Sequence, residues 1–132
     1  MRKILLLSIL LTLGLNASEP AWFYSYSEAQ KSAKSQNKPM LLFMNKKGCG
    51  SCAYMKENVF TDKEVVAYLD QHYVAVALDI HKNDAPKDFQ VNVTPVFHFI
   101  SSDGTKLRET LVGGKTAPFF LKLLKQANTA QK

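Results

Sequence analysis

The sequence predicts an α/β domain with a central mixed four-stranded sheet flanked by helices, and three features predict it. Two apolar runs, Met40 to Asn45 and Tyr73 to Ile80, are short and lack the alternation of a half-wet strand. Such runs mark strands buried on both faces and therefore parallel to one another. Two helical patterns lie between them, which makes a strand–helix–strand crossover. Two later runs, Pro95 to Ile100 and Lys106 to Val112, flank Ser102-Asp103-Gly104 and read as an antiparallel hairpin.

The first 17 residues read as a targeting signal rather than as fold. Met1-Arg2-Lys3 supplies the positive start, Ile4 to Leu15 is apolar apart from Ser8, Thr12 and Gly14, and Leu15-Asn16-Ala17 ends on a small residue. The apolar run falls short of the ~20 residues of a membrane span. Cleavage after Ala17 leaves residues 18–132 as one domain of 132 − 17 = 115 residues, enough for one core. It also removes two cations, so 15 basic side chains face 11 acidic ones and the net charge falls from +6 to +4. The basic residues are dispersed and not interleaved with aromatics, which argues against a nucleic-acid partner. Export to the periplasm places the chain where disulfides persist.

Along the domain, Ala21-Trp22-Phe23-Tyr24 is an aromatic cluster that packs the N-terminal segment onto the core. Ser25-x-x-Glu28 matches a capping box, and a helix runs to about Asn37 with Ala29 and Ala33 inward, ended by Lys38-Pro39. The strand to Asn45 leads into the cysteine loop. A helix follows from Cys52 to about Phe60, and Thr61-x-x-Glu64 caps another whose apolar face is Val65, Val66 and Leu69. His81 to Asn92 is a polar loop with one helical turn at Pro86 to Phe89. Gly113-Gly114 breaks the last strand, and Thr116 caps a final helix lined by Phe119, Phe120, Leu123 and Leu124. From Gln126 the tail is polar and is expected to fray.

Chemistry concentrates at Lys46-Lys47-Gly48-Cys49-Gly50-Ser51-Cys52, which holds both cysteines. The pair stands where a strand ends and a helix begins. Unpaired N–H groups at a helix N-terminus favour an anion, and the anion on offer is the Cys49 thiolate. A thiolate attacks disulfides where a thiol does not. A structural zinc site needs four ligands, and there is no second C-x-x-C; His72, His81 and His98 are scattered. No metal and no cofactor beyond a Cys49–Cys52 redox disulfide is expected. A purely structural bridge closing so short a loop would remove little entropy from the unfolded chain.

With C-x-x-C at the first strand–helix junction and Thr94-Pro95 just before the third strand, the chain resembles the thioredoxin fold over nearly all of residues 18–132. Within that superfamily, Cys49 to Val65 is similar to the C-terminal domains of transmembrane thiol:disulfide interchange reductases, through Val59, Phe60, Asp62 and Val65. The resemblance implies a cis-proline at Pro95 that, with Thr94, holds the backbone of an extended substrate. It implies Cys49 as attacking thiolate and Cys52 as resolver. Gly50, Ser51 and Lys47 are expected to support the thiolate, Ser51 through a hydrogen bond to the Cys49 sulfur and Lys47, with Lys46, through charge. Two positions depart from the family: Gly48 stands where thioredoxins place Trp, and Phe43 where many keep a buried Asp that takes the proton of the second cysteine. Glu57 is then a candidate acceptor.

The expected activity is thiol:disulfide exchange in the reducing direction, because Gly50-Ser51 adds no charge that would strongly stabilise the thiolate. Expected partners are exported client proteins with disulfides, apocytochrome c haem-site cysteines in cytochrome c maturation among them, and a membrane electron donor. The domain is expected to act as a monomer. The alternatives are an oxidase or isomerase, and a non-enzymatic chaperone-like or metal-carrier module.

Overall fold

The computed structural model describes residues 18–131; the signal read over residues 1–17 lies outside the described residues. The first helix, α1, spans Tyr26–Gln36, and strand β1 spans Met40–Asn45. The redox helix α2, Gly50–Tyr54, continues without a break into a π-helical turn at Met55–Val59. Helix α3, Lys63–His72, leads to strand β2, Val74–Asp79. A 3-10 turn at Lys87–Phe89 precedes strand β3, Val96–Ile100, and strand β4, Leu111–Val112. Helix α4, Ala117–Ala130, closes the domain.

The four strands form one mixed sheet in the order β2-β1-β3-β4. β1 runs parallel to β2 and antiparallel to β3, and β3 is antiparallel to β4. β1 is central, so its side chains alternate between two buried faces. Leu41 and Phe43 join Phe97, Phe99, Val65, Leu69 and Phe120 under the redox helix, α3 and α4. Met40, Leu42 and Met44 join Val76, Ile100, Ala29 and Ala33 under α1. A strand wet on neither face has no reason to alternate, which is why its sequence is an unbroken apolar run.

The start of α1 is held more firmly than a capping box alone would hold it. Ser25 Oγ accepts from the Glu28 amide at 3.4 Å. The Asp84 carboxylate, from the distant loop after β2, accepts from the Tyr26 amide at 2.6 Å, the Ser27 amide at 3.0 Å and the Ser25 hydroxyl at 2.8 Å. Partial burial pushes Asp84 up, but hydrogen bonds from Ser27, Tyr26 and Ser25 outweigh it and hold the carboxyl at about 2. At the other end Asn37 takes the left-handed conformation with φ 50°. Its amide bonds Lys34 O and the Lys38 amide bonds Ala33 O, at 3.3 and 3.0 Å, the double closure of a Schellman motif.

Several boundaries differ from the sequence reading. The redox helix begins at Gly50 rather than Cys52, with Cys49 as its cap. Helix α3 is capped by Asp62, whose Oδ1 accepts from Glu64 and Val65 amides at 3.0 and 3.1 Å. The Thr61 hydroxyl is spent on Glu57 O at 2.6 Å and is not available to cap. The fourth strand is two residues rather than the seven of Lys106 to Val112. Ile100 bridges Lys106 and Phe97 pairs with Leu111, so three steps along β3 face five along the returning chain. The two extra residues bulge out and break the ladder. Phe119 is 45 % exposed, while Ala127, one turn past Leu123, is buried in its place. The tail does not fray after Gln126. The Gln131 side chain bonds the Ser102 amide and hydroxyl at 3.2 and 3.0 Å, tying the end of α4 to the β3–β4 turn.

The bulge has a cause in His98, buried on β3. Its Nε2 lies 3.0 Å from the Phe89 carbonyl, which only accepts, so Nε2 carries the proton. Nδ1 then accepts from the Thr110 hydroxyl at 3.0 Å, and Thr110 in turn accepts from Lys106 Nζ at 3.2 Å. One neutral imidazole thus holds the loop before β3 and the bulge after it. Burial pushes His98 down to about 4; the Phe89 carbonyl opposes the shift and Lys106 adds to it. Because the folded value lies below the unfolded one, the unfolded chain binds the proton more tightly. Stability is therefore full above about pH 6.5 and falls as pH drops toward 4, by on the order of 2–3 kcal/mol. Denaturant titrations at pH 7.5 and pH 5 should show this loss in the wild type and a smaller one in His98→Gln. Equal losses in both would assign the titration to another group.

Candidate functional site

Cys49 and Cys52 form a disulfide with Cα atoms 5.2 Å apart at the end of β1. The turn that delivers them depends on Gly48, whose φ of 76° lies in the left-handed region. No neighbour crowds the position, so backbone conformation and not space keeps a side chain out. Cys49 then occupies the N-cap of the redox helix. Its Sγ accepts from the Cys52 amide at 3.1 Å, the same bond that Asp62 Oδ1 makes to the Val65 amide at the start of α3. A thiolate at this position substitutes for a capping carboxylate, so the helix itself favours the ionised form.

The two sulfurs differ in access. Cys49 is half-buried at the surface, whereas Cys52 is 1 % exposed and packs among Met55, Val59 and Phe60. The π turn makes that packing possible. Its wider spacing, closed by the Phe60 amide on Met55 O at 2.8 Å, turns Met55, Val59 and Phe60 all inward below Cys52.

Pro95 arrives from the neighbouring strand. Met44 pairs with Val96, so the next step outward sets Pro95 beside Asn45 at the sheet end from which the Cys49 turn departs. The Thr94–Pro95 bond is cis, Pro95 is buried and Thr94 is half-buried. The Pro95 carbonyl accepts from the Gly113 amide at 2.9 Å, which brings the β4–α4 loop to the same place. A side chain at Gly114 would meet Ser51 Cβ and the Tyr54 ring at 3.7 Å, and the Lys115 amide donates to Met55 Sδ at 3.3 Å. This third loop had no signal in the sequence beyond its two glycines.

The supporting residues are placed less tightly. Gly50, Ser51 and Lys47 are exposed and Lys46 is half-buried. The hydrogen bond to the Cys49 sulfur comes from the Cys52 amide, not from Ser51. Glu57 is exposed on the π turn. Phe43, at the position of the missing Asp, is sealed under aromatic neighbours: Phe97 stacks on it at 5.1 Å, with Phe60 at 5.3 Å and Trp22 at 5.9 Å. A pocket of about 410 Å³ opens behind it, lined by Trp22, Asn45, Lys56 and Asp79 among others; neither cysteine reaches it.

A family model described as a thioredoxin-like domain matches residues 26–128. No curated protein matches the sequence. Among solved structures, the chain is similar to a protein from Bacteroides thetaiotaomicron described as a candidate disulphide-isomerase. The two are 30 % identical over 84 % of this chain and 94 % of that one, with a TM-score of 0.71. The fold also matches the DsbD C-terminal domain of Neisseria meningitidis in its reduced form, at 22 % identity over 76 % and 91 % of the chains, TM-score 0.65. It matches the oxidoreductase DsbH at 23 % identity over 92 % of each chain, TM-score 0.68.

Proposed function

The chain belongs to the thioredoxin-like domain family and is a thiol:disulfide oxidoreductase with its redox pair at Cys49 and Cys52, and from that premise we propose that it is an exported reductant of client disulfides. The observation that carries the reading is the asymmetry of the pair: one sulfur caps a helix at the surface and the other is shut inside. In the reduced protein the Cys49 thiolate attacks a client disulfide. A mixed disulfide forms and one client thiolate leaves. Cys52 then gives up its proton and attacks the Cys49 sulfur. The Cys49–Cys52 disulfide forms, the second client thiolate leaves, and two electrons have passed to the client. Thr94 and Pro95 hold the client backbone beside Cys49.

Export rests on the signal read over residues 1–17, with cleavage after Ala17 and release of a monomer into the periplasm. There the pair is re-reduced by a membrane thiol:disulfide donor, and its clients include apocytochrome c haem-site cysteines. The neutral Gly50-Ser51 spacer favours the reducing direction, since it adds no charge between the cysteines to stabilise the Cys49 thiolate further. The 30 % identical neighbour described as a candidate disulphide-isomerase favours isomerisation as the second reading.

Insulin reduction and the equilibrium potential of the Cys49–Cys52 couple test both. We expect turnover, with a potential nearer the ~−270 mV of thioredoxin than the ~−120 mV of a strong periplasmic oxidant. A value near the latter would move the protein to the oxidising class.

A further inference from the structure

The face around Cys49 is built from three chain segments, and none of them carries an acid. Residues 46–56, 92–97 and 110–118 contain no Asp or Glu, although the chain has 11. They hold four lysines. Lys56 turns away to Asn45 Oδ1 at 3.3 Å, which leaves Lys46, Lys47 and Lys115 around the redox pair. Lys46 and Lys47 lead directly into the Cys49 turn. Lys115 is held in place: its ammonium donates to the carbonyls of Val112 at 3.1 Å and Gly114 at 3.4 Å, and its amide bonds Met55 Sδ.

The same three segments carry apolar side chains in contact with water. Tyr54 is 40 % exposed, Val93 49 % and Val112 56 %. Tyr54 lies against Gly114, Val93 immediately precedes Thr94-Pro95, and Val112 pairs with Val96 next to Pro95. Only two other large apolar side chains are comparably exposed among the described residues, Tyr24 and Phe119. Exposed apolar side chains beside charges of a single sign suit the docking of a partner of the opposite sign.

We infer that this face selects polypeptides whose reactive cysteine sits among apolar residues and is flanked by Asp or Glu. The inference rests on the client-reducing reading and adds the class of client. Rim charges act chiefly on encounter: they steer complementary partners in and turn like-charged ones away.

Two disulfide-bonded peptides, identical except for Asp/Glu or Lys/Arg around the cysteine, test it against the mature protein, with neutral hydroxyethyl disulfide as a control. Second-order rates should favour the acidic peptide by about tenfold or more at low ionic strength. The ratio should fall toward one at high salt, where the rim is screened. Combining Lys46→Glu with Lys115→Glu should invert the ratio, and Lys47→Glu, at an exposed position, should lower it if the double variant does not fold. Because each ratio compares two substrates on one protein, changes in Cys49 reactivity cancel. Equal rates, a preference for the basic peptide, or a preference that survives charge reversal would overturn the inference. So would tight binding to anionic phosphatidylglycerol vesicles with no peptide preference. Failure to reduce even hydroxyethyl disulfide would bring down the client-reducing reading, and the inference with it.

Discussion

Replacing Cys52 with Ala is expected to stop turnover and leave the protein covalently attached to its clients. Exchange passes through a mixed disulfide on Cys49, and release needs a second thiolate within reach of that sulfur. Only Cys52 qualifies. It is the only other cysteine, three residues on in the same helix, with its amide already on the Cys49 sulfur at 3.1 Å. Alanine keeps the helix, and Cys49 keeps its place as N-cap. The buried cluster around position 52 loses one sulfur, a small volume beside Phe60 and Val59. The variant should therefore fold, attack and stall. Non-reducing gels of the variant purified from the cells that produce it should show adducts that dithiothreitol dissolves. Cys49→Ala should show almost none, because the remaining sulfur is 1 % exposed and cannot meet a client disulfide. Insulin reduction should fall to background in both. Adducts on Cys49→Ala in place of Cys52→Ala would reverse the assignment of nucleophile and resolver.

The largest stability effect is expected at Phe43. This ring is fully buried in the central strand and has three aromatic neighbours within 6 Å: Phe97 stacked at 9°, with Phe60 and Trp22 tilted. Phe60 in turn meets Trp22 and Phe120 edge-on, at 4.9 and 5.5 Å, so removing one ring loosens contacts among the others. Phe43→Ala should cost about 3–5 kcal/mol, the transfer free energy of the ring plus the cavity it leaves. For a domain of this size that is a fall in Tm of roughly 10–20 °C. Phe43→Leu, which refills most of the space, should cost less than half as much. The helix-start geometry of Cys49 does not involve this ring, so the potential of the pair should change little. Urea titrations of the two variants check the cost. A loss below about 1 kcal/mol for alanine would mean that the site collapses around the gap.

What the sequence made legible was whatever is written locally. The run from Met40 to Asn45 is apolar because both faces of β1 are covered, and the cysteines follow it directly. Ser25, Pro39 and Gly113 mark their boundaries by their own backbone chemistry. What was not legible depends on partners far along the chain. Asp84 reaches α1 across a separation of 58 residues. The bulge that shortens β4 answers to His98 and Thr110. Gln131, in a stretch that reads as a fraying tail, is held by Ser102. The choice between Thr61 and Asp62 as cap was ambiguous because both residue types cap well, and the structure gives Thr61 another acceptor. The π turn has no sequence signature; it follows from the need to bury Met55, Val59 and Phe60 together. At the site, the cysteines, Thr94 and Pro95 could be read from motifs. The loop of Gly113 to Lys115 could not, because only tertiary packing brings it against Ser51 and Tyr54.

Phe23, one residue after the tryptophan that covers Phe60, bears on how the domain meets its neighbours. It bridges β2 as a single-residue strand, its amide on Ala75 O at 2.8 Å and its carbonyl on the Ala77 amide at 2.9 Å. These are outward-facing groups of an outer strand, the kind that recruits a second molecule into a continuous ladder. At the opposite border β4 offers only two residues before Gly113 turns the chain away. The sheet is thus blunted on both sides by very little chain. On the client-reducing reading proposed above, this keeps the rest of the backbone from pairing with extended segments of a client.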